Sequence, residues 1–186
     1  MERLGGETRT LTVLYSVTAA VCSVAGLFLN SFGLFADGAV SVMMLSVLLL
    51  GNGNKVAARA LRIASLFLGA YSVLVGCFGV SALIGYADKA TSIYVYPLFA
   101  LLIIAKVAGV LFCEEGSSFR VNTVFSLACT ILVLAGTLLL TAGHYFEPAV
   151  ACAIGVYVVY DGVKSLFLKH DANEIEDTEE ETSSEE

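Results

Sequence analysis

LTVLYSVTAAVCSVAGLFLNSFGLFADGAVSVMMLSVLLL, Leu11 to Leu50, is one apolar run with a single charged side chain, Asp37. As one helix it would be about 60 Å long, twice the ~30 Å hydrocarbon core of a bilayer. Asn30, Ser31 and Gly33 fall near its middle and are the breakers available there. The run therefore divides into two spans, Leu11 to Gly33 and Leu34 to Leu50, joined by almost nothing. Reading outward for stretches of roughly 17 to 25 residues with little or no charge gives four more: Ile63 to Tyr86, Ile93 to Phe112, Val121 to Ala142 and Pro148 to Leu168. The expected fold class is all-α, a membrane protein of six transmembrane helices.

Composition excludes the alternatives. The chain of 186 residues is 58% apolar and 15% charged, with a mean hydropathy of +0.84. A soluble domain of that make-up would expose large apolar patches, so its solvent is lipid. The net charge of −7 is local, because residues 171–186 hold nine acidic side chains and no basic ones. Without them eight acidic residues stand against ten basic ones, which leaves no basic face for nucleic acid. The five cysteines fall singly in or beside apolar segments, without CxxC spacing, and read as packing residues.

Loop charge gives an orientation. With six spans and the N-terminus inside, the inner segments hold Arg3, Arg9, Lys55, Arg59, Arg62, Arg120, Lys164 and Lys169, and the outer loops hold Lys89 alone. Lys and Arg are retained on the cytoplasmic side during insertion, so both termini are expected there. The first span is too long for a signal peptide and ends in no small-x-small site, so it is expected to be retained. The expected organisation is a cytoplasmic N-terminus over 1–10, a six-helix membrane domain over 11–168 and a disordered acidic tail over 169–186. Within that tail, residues 171–186 have one aliphatic side chain, Ile175, and no aromatic one, too little to bury.

Gly26 to Ser41, GLFLNSFGLFADGAVS, and His144 to Ser165, HYFEPAVACAIGVYVVYDGVKS, resemble the second and last helices of the cation diffusion facilitator (cation efflux) family. The resemblance implies a six-helix carrier exchanging zinc or a related divalent metal for protons, commonly a dimer, with a cytosolic metal-binding domain after the last helix. It also implies metal ligands in pairs on helices 2 and 5. An i, i+4 pair puts two ligands on one helix face, and two helices complete a tetrahedral set whose protons exchange for metal. Here the positions following Asp37 are Val40 and Met44, and the best register on the fifth span gives Val121 and Phe125. All four are apolar, and only the acidic tail follows the last span, so this is read as a divergent member with its ligand positions replaced.

Ionisable groups inside a span are costly and are functional candidates by default. Three pathway candidates stand out: Asp37, Lys106 and Asp161. Asp37 reads either as a first-turn acid helped by the helix dipole or as a cavity-lining, proton-carrying group. Lys106 lies about 12 Å from the inner surface, and Asp161 is the acid expected at similar depth, so a Lys106 to Asp161 pair is expected. The alternatives are a snorkelling Lys106 and a local contact between Asp161 and Lys164. His144 and Glu147, three apart before Pro148, are weak candidates for metal capture; otherwise Glu147 is an acid at a helix entry. Gly69, Gly76 and Gly79 on the third span and Gly136 on the fifth read as close-packing positions.

Two functions follow. One is a carrier for a divalent, zinc-like cation, taken as substrate rather than cofactor, with Asp37 in the pathway. The other is a non-transporting partner, a homodimer or an assembly subunit that has lost its metal site. An enzyme is not expected: no HExxH, no Ser/His/Asp set and no phosphate-binding glycine loop is present. The expected location is the cell membrane, as a multi-pass protein.

Overall fold

The computed structural model describes the backbone of residues 2–29, 31–85, 94–113, 117–138 and 146–183, and the side chains of 8–29, 31–77, 94–113, 117, 119–138 and 146–166. All regular structure among them is helical: α1 (Glu2–Phe28), α2 (Phe32–Gly51), α3 (Lys55–Gly85), α4 (Val95–Phe112), α5 (Ser118–Leu138) and α6 (Phe146–Ser183). Each contains a segment long and apolar enough to cross a bilayer. The protein is an integral, multi-pass membrane protein in its architecture.

α1 ends at Phe28 and α2 begins at Phe32, two residues earlier than the sequence reading. Ser31 is the reason: its backbone is extended and its hydroxyl accepts the Leu34 amide, so it caps α2. Between α2 and α3, Gly53 takes the positive φ of 77° that the tight turn requires. Asn54 then accepts the Ala57 amide at 3.2 Å and starts α3 at Lys55, eight residues before the apolar span. Lys55, Arg59 and Arg62 thus lie on helix rather than loop. The α6 backbone continues as helix to Ser183, beyond the span expected to end at Leu168.

α2 is the axis of the bundle. It packs against α1, α3, α5 and α6, and 83% of its span is buried, against 22 to 39% for the other five. Its close fit to α1 depends on Gly38, where an added Cβ would meet the Ser23 hydroxyl at 2.7 Å. Residues expected to pack closely do so within the chain: Gly69 and Gly76 of α3 lie against Val158 and Cys152 of α6, and Gly136 against Val150. Gly79 lies outside the described side chains.

The two ends are fixed by contacts. Gly51 at the end of α2 meets Phe119 at the start of α5, and Gly109 near the end of α4 meets Leu11 and Leu14 of α1. This end collects Lys55, Arg59, Arg62 and Arg120 and is called the basic end below. At the other end Gly33 opens α2 beside Val133 of α5 and Glu147 of α6.

Candidate functional site

Asp37 lies in the second turn of α2, fully buried, on the face that carries Gly33 one turn earlier. It is not the first-turn acid of the alternative reading, because α2 begins at Phe32. Its position leaves the carboxylate far from water, where an unpaired charge would cost several kcal/mol. Lys106 of α4, also fully buried, supplies the counter-charge. Its ammonium donates to both carboxylate oxygens, at 2.8 Å to Oδ1 and 2.9 Å to Oδ2.

α5 completes the cluster through Thr130. Its Oγ1 accepts from Lys106 Nζ at 2.7 Å and lies 2.7 Å from Asp37 Oδ1 and 3.0 Å from the Ser126 carbonyl, to which it can donate. From α1, the Cys22 thiol donates to Asp37 Oδ2 at 3.5 Å. Four helices therefore converge on one carboxylate. The Ser41 hydroxyl donates to the Asp37 carbonyl at 2.9 Å, a local back-bond within α2.

The expected Lys106 to Asp161 pair does not form. Lys106 is six residues from the basic end of α4 but extends away from it, toward a carboxylate level with the middle of α5. Counting depth from the nearer surface assumes that a lysine stretches toward water; here the paired acid is deeper and the stem follows it. Asp161 is half-buried on α6, and the ion pair that Lys106 makes is with Asp37. Lys164 lies with its ammonium 5.9 Å from the Tyr160 ring centre.

Glu147 is likewise buried, at 3% exposure. Its Oε1 accepts from the Ser31 hydroxyl at 2.6 Å and from the Gly33 amide at 3.1 Å. It also lies in the first turn of α6, so one carboxylate serves the positive ends of two helices. The carboxylate thus ties the starts of α2 and α6 together. His144 lies outside the described residues.

The apolar ligand positions separate. Val40 and Met44 are buried on α2, but Val121 is 68% exposed and Phe125 packs at a tilt against Tyr157 with ring centres 4.8 Å apart. The α5 face that turns inward carries Thr123, Ser126, Thr130 and Thr137, all buried, so the register placing Val121 and Phe125 opposite Asp37 is corrected to Thr130. The hydroxyl spacing of three, four and seven is a helical stripe visible in the sequence. Sequence reading missed it by searching α5 for His, Asp and Glu alone. Cys22 was missed in the same way, on the buried α1 stripe of Leu11, Tyr15, Thr18 and Cys22.

Toward the basic end the polar stripe continues through Ser126 to Thr123 and Tyr15. The buried Tyr15 and Ser126 hydroxyls have no hydrogen-bond partner among the described residues. Chemically the cluster is a carboxylate, an ammonium, a hydroxyl and a thiol with no formal net charge. No three His, Cys, Asp or Glu side chains come together as a metal-holding set among the described residues. No protein-family model matches the chain, and no curated protein matches it significantly.

Proposed function

We propose that the protein is a membrane carrier for a small divalent, zinc-like cation, exchanged for protons at Asp37. The observation that supports this reading is the cation already held there: the Lys106 ammonium, bound by Asp37 of α2 and Thr130 of α5. An incoming metal ion competes with that ammonium. If Lys106 and Cys22 each give up a proton as the ion enters, carboxylate, thiolate and neutral amine leave the site as neutral as before, with Thr130 as a further oxygen donor. One divalent ion then exchanges for two protons without burying net charge, which is the condition a low-dielectric interior imposes. The reading places both termini in the cytoplasm, supported by the bias of eight basic residues at the inner ends of the spans against Lys89 alone on the outer side, and takes the cell membrane as the location.

The test is zinc and manganese flux into proteoliposomes, with and without a pH gradient. Gradient-coupled flux that disappears in Asp37→Asn and falls in Cys22→Ser supports exchange at this site. A second reading has its own observation. Both Asp37 oxygens are already engaged, which suits a non-transporting partner whose ion pair specifies the bundle. Absence of flux above empty liposomes for both ions selects that reading.

A further inference from the structure

The geometry points to a binding groove for one anionic phospholipid on the lipid-facing side of the α3–α6 pair. The helices approach closely along this seam: a Cβ on Gly69 would meet the Gly155 carbonyl at 3.2 Å, and one on Gly76 the Pro148 carbonyl at 2.8 Å. The seam carries a groove of about 670 Å³, walled by Ala70, Val73 and Leu74 of α3 and by Val156, Val159 and Val163 of α6. Its walls are hydrocarbon until Tyr160 and Lys164, which stand toward the basic end. Leu74 and Tyr160 are exposed by 58% and 63%, so the groove opens to lipid rather than into the bundle.

Charge decides the occupant. Lys164 has no carboxylate within salt-bridge reach among the described residues. Arg59 and Arg62 precede Ala70 and Val73 by about three helical turns each, so they lie on the strips of α3 that carry the groove. The contact of Gly162 with Leu66 sets the register of the antiparallel pair and places Arg62 about 3 Å and Arg59 about 8 Å beyond the level of Lys164. Three cations thus cluster below an apolar slot that runs along the bilayer normal. A phospholipid offers the matching order, an acyl chain and then a phosphate, and basic clusters beside apolar slots between helices are how such headgroups are held. A second copy of this chain related by a two-fold axis along the normal would set the same three cations against their own copies. This site is independent of any transport at Asp37.

The experiment titrates the purified full chain in a neutral detergent with phosphatidylglycerol and with phosphatidylcholine of the same acyl chains. Binding is read by native mass spectrometry and by the shift in thermal unfolding. Phosphatidylglycerol is expected to bind more tightly, and Arg59→Ala, Arg62→Ala and Lys164→Ala each to weaken it about fivefold, with phosphatidylcholine unchanged. Val73→Phe, which fills the slot, should weaken both lipids. Equal affinity for the two lipids, or a preference that survives the triple alanine variant, overturns the proposal. So does glycerol phosphate binding as tightly as the intact lipid, or a dimer that forms through this face and excludes lipid.

Discussion

α2 and α4 both cross the bundle as apolar helices, and each contributes one charge to the same ion pair, yet they meet opposite surroundings. α4 is the more apolar, with a span hydropathy of 2.3 against 2.0, but 28% of its span is buried against 83% for α2. In lipid, hydropathy shows that a helix crosses the membrane and says little about whether its sides meet protein or acyl chains. What distinguishes them is the small side chains of α2, which let α1 and α6 close on it. α4 touches the interior along a narrow line through Val95, Phe99, Leu102, Lys106 and Gly109, spaced four, three, four and three apart.

The contrast is broken most severely at the charge that joins the two helices. Lys106→Met or Asp37→Leu alone leaves one charge buried without its partner and is expected to cost ~3–5 kcal/mol in denaturant unfolding from mixed micelles. The double variant, Asp37→Leu with Lys106→Met, should recover most of that loss. Recovery would identify the pair as removable from the fold; a double variant as damaged as either single would show that the cluster specifies the bundle. Reversing the pair, with Asp37→Lys and Lys106→Asp, should fail to restore stability. It puts the long stem on crowded α2 and a short carboxylate on α4.

Smaller losses sharpen the comparison. Leu48→Ala on α2, at a side chain only 3% exposed, should cost ~2–4 kcal/mol through the cavity it opens. Leu101→Ala and Ile104→Ala on α4, at 62% and 67% exposure, should each stay within about 0.5 kcal/mol, since acyl chains refill the space. Glu147→Leu removes the acceptor for Ser31 and Gly33 and should cost about 1–3 kcal/mol. Thr130→Val removes one hydroxyl from the ammonium and should cost ~1–2 kcal/mol, with Thr130→Ser near neutral. Thermal unfolding in detergent orders the series.

The number of helices was legible because a forty-residue apolar run cannot cross a bilayer once. Asp37 and Lys106 were legible as candidates because charge in lipid is conspicuous. Their pairing was not: both helices are apolar on every side, so periodicity that would orient a helix in water is nearly silent here. Thr130 and Cys22 were hidden for a related reason. Each is small enough to pass as packing until the backbone places it beside a carboxylate. The helix start at Lys55 was obscured because basic residues at a membrane surface read as loop although they favour helix.

The separation in sequence of the groups that complete α2 sets an order of synthesis. When α2 leaves the ribosome, its carboxylate has no ammonium; Lys106 follows 69 residues later. The Glu147 carboxylate that engages Ser31 comes later still, 116 residues on. The helix that ends most enclosed is therefore among the first made, and although α1 and α3 flank it from the start, the partners of its charge and of its cap come from later helices. Until α4 and α6 arrive, an unpaired Asp37 favours a place for this helix beside the insertion machinery over one in bare lipid.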